Sequence, residues 1–224
     1  MTYPSPPSLQ ASRHRERQSA DPAVIAGILD AGMVAHVGFI RDGWPVVLPF
    51  HYGVTDLGDG RGPQMIIHGS SGGRSFLDAA AAEAGLPVSV CVSLNDGLVV
   101  GRSLYNIGAR YRSVIAYGLA APVPPAFRDA ALYALCDHIL PGRRDEVRSW
   151  TSKEQASTGL IAIPLAHAAA KIADAATGET PDDGEDRTLW AGVIPLSLRA
   201  GPPIPSPETT TGIPPSVAEF VARW

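Results

Sequence analysis

Short runs in which apolar residues alternate with polar or small residues recur along most of the chain. They are residues 33–40, 44–52, "QMIIH", "PVSVCVSL", "GLVVG", 111–123, 158–165 and 190–196. Runs of this length, rich in Val, Ile, Phe and Tyr and bounded by Gly or Pro, are typical of β-strands. Tight turns are expected at "RDG" and "NDG", because Asp-Gly supplies the positive φ angles that such turns need. The pattern predicts a mainly antiparallel sheet that closes into a barrel.

Three segments have helical patterns. Asp21-Pro22 combines an N-cap with Pro at the first helical position, and the apolar stripe that follows ends near Gly32. Helices are also expected over 73–84 and 125–140. We predict an N-terminal arm over 1–20, one domain over 21–196 and a Pro-rich tail over 197–224, in which "SVAEFVARW" docks as a final helical turn.

Composition excludes several classes of protein. A net charge of -4 lacks the basic excess of a nucleic-acid-binding protein, and no apolar run is long enough to cross a bilayer. The first residues lack the features of a signal peptide, and Cys91 and Cys136 lie in apolar contexts, so we expect a cytoplasmic protein. The histidines show no metal-site spacing, and we predict no bound metal.

The segment "HGSSGGR", residues 68–74, is the first candidate site. A glycine- and serine-rich bend between a strand and a helix lets backbone N–H groups and the positive helix end approach a phosphate. Arg74 could add a charged contact, and His68 could donate a hydrogen bond or a proton. The alternatives are an ordinary Gly-rich turn and a strand-end histidine without a role.

Two further segments carry polar or unusual residues. Pro49 interrupts the apolar run "VVLPFH", so it should lie at a sheet edge or bulge, or where the strand faces a flat ligand. "RYRSV" places Arg110, Arg112 and Ser113 at a strand entrance, and a solvated charge pair is the simpler interpretation. The chain lacks the G-x-S-x-G motif of serine hydrolases.

In order and spacing, several segments resemble the pyridoxamine 5'-phosphate oxidase-related flavin-binding split-barrel family, particularly its 5-nitroimidazole resistance branch. They are "VAHVGFIRDGWPVVLPFHYG", "IIHGSSGGRSFLDAA", "GLVVGRS", "YRSVIAYGLAAPV", "ALCDHILPGRRDEVR", "AAK" and "DDGEDRTLWAGVIPL". The resemblance implies a six-stranded antiparallel split β-barrel with peripheral helices. It also implies a homodimer that binds FMN in a cleft between subunits.

The resemblance also assigns cofactor contacts. The backbone of Val46, Val47, Leu48 and Pro49 would lie against the isoalloxazine ring. His68, Gly69 and Ser70 would flank the cofactor, and Arg74 would hold its phosphate. The remaining contacts implied by the family's motifs are Arg112, Ser113 and Lys171.

The chain departs from this family's motifs at two places. "YNIGARYRSV" stands where close relatives carry a "HHSMNYRSV"-like segment, and Ala173 stands near the position of an arginine. These departures leave open a different substrate, haem or a deazaflavin in place of FMN, or a loss of catalysis.

The leading hypothesis for function is an FMN-dependent oxidoreductase that acts on a small organic molecule. His68 would deliver a proton or orient the substrate, and Tyr105, Asn106 and Arg110 would shape the pocket. The alternatives are a non-catalytic flavin- or haem-binding protein for storage, sensing or regulation, and a barrel without cofactor that serves dimeric interaction.

Overall fold

The computed structural model describes residues 5–11, 13–174 and 186–224. Its strands are β1 (Gln18–Ser19), β2 (Ala35–Arg41), β3 (Trp44–Phe50), β4 (Tyr52–Asp56), β5 (Pro63–Ser70), β6 (Leu86–Val100), β7 (Gly108–Pro122), β8 (Thr158–Pro164), β9 (Ala168–Ala173) and β10 (Gly192–Pro195). Its helices are α1 (Pro22–Ala31), α2 (Arg74–Ala81), α3 (Arg128–Ile139), α4 (Ser152–Ser157) and α5 (Pro215–Arg223).

The strands form a mainly antiparallel sheet with the order β3-β2-β6-β7-β8-β5-β4. Outside this order, β9 pairs with β7, β1 pairs with β9 and β10 pairs with β6. The predicted split-barrel class is confirmed, since the sheet is antiparallel with helices at its periphery. The expectation that it closes into a barrel is wrong, because the hydrogen-bonded order ends at β3 and β4. Pro45 and Pro49 contribute to this end: they lack N–H groups and stand four residues apart, so both nitrogens face the same edge of β3.

One of the two predicted hairpin turns is confirmed. Asp42 and Gly43 have φ angles of 49° and 79° and connect β2 to β3, with Arg41 opposite Trp44. The turn predicted at "NDG" is wrong, because β6 continues through it. Both halves of β6 pair with the single strand β7, so Asp96 becomes the extra residue of a bulge between Asn95 and Gly97.

The three predicted helices are confirmed, with a 3₁₀ turn, Pro125–Phe127, before α3. Four elements were not predicted: the short strands β1 and β4, helix α4 and strand β9. Helix α4 begins with a capping box between Thr151 and Glu154. With six residues, the helix is too short to show an apolar stripe. Strand β9 has four alanines in six residues and a single β-branched residue, Ile172, so its sequence is not typical of a strand.

Two apolar clusters stabilise the domain. The larger lies on the inner face of the sheet against α1 and α2, and the smaller lies between β4, β5, β8 and α3. The C-terminal helix α5 docks through the buried Ser216, whose backbone N–H and hydroxyl both donate to Glu146, at 2.9 and 2.5 Å. No helix in the described ranges is long and apolar enough to span a membrane.

Candidate functional site

The bend after β5 leads directly into the uncapped start of α2. Gly73 is the N-cap residue, and no side chain accepts a hydrogen bond from the first-turn amides. The Gly73 N–H donates to Ser70 O at 2.8 Å, and the Ser71 N–H donates to Ser157 O at 2.9 Å, so the bend is fixed from both sides. The positive end of α2 therefore has no side-chain cap, and the phosphate site predicted at the bend stays a prediction.

Arg74 is the first residue of α2 and is bound to its own helix. Its Nε donates to Asp78 Oδ1 at 2.8 Å, and this carboxylate raises the pKa of Arg74. The side chain remains 63% exposed. A phosphate at the start of α2 would therefore share Arg74 with Asp78, and the predicted phosphate contact stays a prediction.

Sequence reasoning missed Arg41, a second guanidinium at this helix start. Its Nη2 donates to the buried Ser75 Oγ at 2.9 Å. Its Nε is buried without a hydrogen-bond acceptor and lies 3.5 Å from Asp78 Oδ2. Two guanidinium groups thus share one carboxylate beside the amides of α2, an arrangement that fits an oxyanion. The only signal in the sequence was a charged residue that ends an apolar strand.

Two glycines make room for α2 to pack closely on the sheet. Gly69 and Gly159 are direct cross-strand partners in β5 and β8, and an added Cβ at either would lie 2.5 or 2.7 Å from the Phe76 ring. Phe76 also meets Phe50 edge-on, with ring centroids 6.3 Å apart. The ring therefore connects the bend to the end of β3, which carries the predicted flavin contacts.

The predicted residues of β3 divide between the two faces of the sheet. Val46 and Leu48 face inward and are half-buried, whereas Val47 and Pro49 are exposed on the outer face. Pro49 lies in an edge strand, which was one of the alternatives for a proline at this place. Val47 is 61% exposed.

Strand register brings Ser113 and Lys171 onto the same outer face. Val47 pairs with Gly38, and Pro49 pairs with His36, which is opposite Cys91 in β6. Two residues further along β6, Ser93 pairs with Ser113, which in turn pairs with Lys171 in β9. Four of the predicted cofactor residues, Val47, Pro49, Ser113 and Lys171, therefore share one sheet face.

Arg112 and the predicted pocket residues lie toward the end of the β6–β7 hairpin. Arg112 donates from Nε and Nη2 to the two carboxylate oxygens of Asp96, both at 2.8 Å, and the carboxylate raises its pKa. Arg112 thus stabilises the bulge. Arg110 stands opposite Gly97, and the connection contains the 3₁₀ turn Leu104–Asn106, in which Tyr105 is 89% exposed.

His68 lies in a row of three histidines, two of which the sequence did not single out. The register Tyr52↔Ile67 places His51 opposite His68. His51 Nδ1 donates to Met33 O at 3.0 Å, and His138 Nε2 donates to Gly32 O at 2.7 Å. Burial lowers the pKa of His68, with a smaller contribution from His51. Burial also lowers the pKa of His138, whose ring lies 4.6 Å from that of Tyr52.

Two clefts border these elements: Ser71 and Phe76 line the first, and His138 lines the second. One, of about 450 Å³, lies between the bend, α4 and β8; the other, of about 650 Å³, lies between α1, β4 and α3. Neither is lined by a residue predicted to bind the cofactor. Among the residues placed by the structure, no group of three or more His, Cys, Asp or Glu side chains could hold a metal ion.

The open antiparallel sheet with α2 packed at the end of β5 defines the class of split-barrel proteins. A sequence model described as pyridoxamine 5'-phosphate oxidase matches residues 21–172. The chain therefore belongs to the pyridoxamine 5'-phosphate oxidase-related split-barrel family. No curated protein is significantly similar to it in sequence.

Three solved structures illustrate the relationship. The FAD and haem binding protein from Mycobacterium smegmatis is 32% identical, with a TM-score of 0.81 over 92% of this chain and 97% of that one. The flavocytochrome Anf3 from Azotobacter vinelandii is 30% identical, with a TM-score of 0.81 over 93% of this chain and 94% of that one. A protein described as a 5-nitroimidazole antibiotic resistance protein from Bacteroides thetaiotaomicron is 16% identical, with a TM-score of 0.53 over 69% of this chain and 86% of that one, which is a likeness of fold.

Proposed function

We propose that this chain is a redox protein that binds a flavin nucleotide and a haem. The observation that carries the proposal is its similarity, over more than nine tenths of both chains, to an FAD and haem binding protein and to a flavocytochrome. The resemblance in the sequence implied FMN. Because the first of these relatives binds FAD, we propose FAD as the flavin of this chain.

The start of α2 is the proposed site of the flavin phosphate nearest the ring system, a group common to FMN and FAD. The first two amides of α2 supply donors, and the guanidinium groups of Arg41 and Arg74 supply positive charge. The edge strand β3 would carry the flat ring against its backbone, as the resemblance implies. These donors support a flavin nucleotide over riboflavin, which lacks the phosphate.

His51 is the residue that would hold the haem iron. Its Nδ1 carries the proton donated to Met33 O, so the neutral ring presents the Nε2 lone pair, which is the form that binds iron. His68, opposite His51, is the alternative ligand, and its lowered pKa also favours the neutral imidazole. When His51 holds the haem, His68 stays free for its predicted role in proton delivery.

A homodimer is proposed because each chain leaves its cofactor residues uncovered. Val47, Ile40, Ile115 and Leu119 lie exposed on the outer sheet face, on which Ser113 and Lys171 also lie. A second copy placed against this face would remove apolar surface from water and complete a cleft.

Cys91 and Cys136 are free thiols, which supports the expected cytoplasmic location.

The flavin would supply hydride and single-electron chemistry, and the haem single-electron chemistry. The chain would hold the phosphate, orient both groups and place His68 where it can transfer a proton to or from a small organic substrate. Tyr105, Asn106 and Arg110 remain the proposed pocket residues.

Absorbance spectra and acid-released cofactors of the purified protein test the proposal. We expect a Soret band that His51→Ala removes, and released FAD identified by its mass. His14→Ala, on the N-terminal arm, is the matched control and should leave the spectrum unchanged. A protein that takes up neither added flavin nor added haem would overturn the proposal. If the bound cofactors are reduced but no substrate reoxidises them, the enzymatic function is rejected. The protein would then bind or carry its cofactors without catalysis.

A further inference from the structure

The cleft of about 450 Å³ adjoins the bend through Ser71, but none of the residues proposed to contact the flavin or the haem lines it. Its two walls differ in chemistry. One wall is apolar, and the other carries hydroxyl groups. The apolar wall includes Phe76, Val123 and Leu160, and the hydroxyl wall includes Ser71, Ser152 and Thr158. Arg128 completes the lining. A volume of this size lies within the range of small-molecule sites, which runs from roughly 300 to 1,000 Å³.

Arg128 brings a positive charge to this cleft without a negative partner. Its Nη2 donates to the backbone oxygens of Gln155 and Thr158, which lie where α4 ends and β8 begins. A guanidinium has five N–H donors, so the Nε and Nη1 donors remain. In the part of the chain that the structure describes, these donors make no hydrogen bond, and no carboxylate lies within ion-pair distance of Arg128.

The hydroxyl wall also has unused hydrogen-bonding groups. Thr158 Oγ1 donates to Glu154 O at 2.8 Å and is committed to the end of α4. The Ser71 and Ser152 hydroxyls make no hydrogen bond to any residue the structure places. Holding the end of α4 accounts for Nη2 of Arg128. It does not account for the remaining donors, for the free hydroxyls or for the apolar wall opposite them.

We propose that this cleft binds a small organic carboxylate with an apolar body. The carboxylate pairs with the free Arg128 donors and the serine hydroxyls, because charge-assisted hydrogen bonds satisfy an otherwise unneutralised guanidinium. The apolar body packs against Phe76, Val123 and Leu160. This inference does not depend on the flavin or the haem, and its test is read from the carboxylate itself.

The probe is 4-fluorobenzoate, titrated into the purified protein with its native cofactor content and followed by ¹⁹F NMR. The neutral 4-fluorobenzamide has the same shape and is the matched ligand. We expect saturable binding of the benzoate at millimolar concentration or below, and binding of the benzamide at least about tenfold weaker, as expected for loss of a charged hydrogen bond. Equal affinity of the two probes, or no saturable binding of the benzoate, overturns the proposal.

Two variants locate the binding. Arg128→Gln should reduce the affinity for benzoate to that for benzamide. Because Arg128 also holds the end of α4, a second variant leaves it intact: Ala156→Phe places a ring in the lining of the cleft at an exposed position of α4. Ala218→Phe, at an exposed position of α5, is the control. Benzoate affinity that is unchanged in Ala156→Phe places the probe elsewhere and rejects this site.

Discussion

Arg41 is the residue whose role depends most on three-dimensional context. In sequence it precedes the Asp-Gly turn, where a charged residue is ordinary. In the structure its side chain reaches the start of α2, thirty-four positions along the chain, and binds Ser75. Such a contact depends on the packing of the β2–β3 hairpin against α2, which the local pattern of residues does not encode.

Replacement of Arg41 should weaken binding of phosphorylated flavins specifically. Loss of a charged hydrogen bond costs about 1.5–3 kcal/mol, so Arg41→Met should weaken FMN binding roughly 10- to 100-fold. Binding of riboflavin should change less than about twofold, since no phosphate is involved. Arg17→Met, at an ion pair with Glu16 on the arm, is the control. Fluorescence titration with both ligands measures this, and equal losses for FMN and riboflavin would contradict it.

The row of histidines should make stability depend on pH. The pKa values of His68 and His138 are lowered in the folded state, so the unfolded chain takes up protons at a higher pH. Stability from these residues is present above the ordinary value of 6.5 and declines as the pH falls below it. We expect the urea midpoint to fall between pH 7.5 and about 5.5. His138→Gln keeps a donor near Gly32 O without titrating and should flatten the decline; an unaltered pH profile in this variant would be inconsistent with the assignment.

At the scale of elements, the two Asp-Gly sequences show what local patterns can and cannot predict. Both have the residues of a tight turn. The first joins strands that pair with each other, and it folds as predicted. The second lies within a stretch whose two halves both pair with β7, and the shared partner makes it a bulge held by Arg112 and Asp96. Tertiary pairing therefore overrides turn propensity. Most strands, α1 and α3 were predictable because their patterns are long, whereas β1, β4, α4 and β9 are short or uniform.

The confirmed turn provides a stability test. Gly43 has a φ of 79°, a region that costs a residue with a Cβ about 1–2 kcal/mol. Gly43→Ala should therefore lower the melting temperature by roughly 2–8 °C for a chain of this size. Gly212→Ala is the control, because Gly212 has no positive φ and an added Cβ meets nothing there. Equal melting temperatures for the two variants would show that the turn tolerates a side chain.

At the scale of the whole molecule, the sequence located the bend, β3 and α2 but not the shape of the site. Cleft geometry depends on surfaces that meet only in the assembled protein, and the outer face of the sheet is uncovered in one chain. The sequence does show that the residues of β3 are apolar on both faces of the strand. It does not show what lies against it.

The proposed dimer is testable through the outer face. Val47→Arg places a charge on an exposed apolar position of β3 and should convert a dimer to a monomer, because burying an unpaired charge is costly. Val147→Arg is the control, at a valine of comparable exposure outside the sheet. Light scattering after size-exclusion chromatography gives the mass of each. A monomeric native protein, or a dimeric Val47→Arg protein, would reject this face as the interface.

The Phe76 ring packs against two glycines that face each other on β5 and β8, and this contact positions α2 on the sheet. The ring lies over Gly69 and Gly159 and edge-on to Phe50, so its contacts fix the position of α2 on the strands. Phe76 lies in the first turn of α2, next to the bend, and it also lines the cleft of about 450 Å³ that contains Arg128. A substitution that displaces the Phe76 ring would therefore alter both the start of α2 and the wall of the cleft.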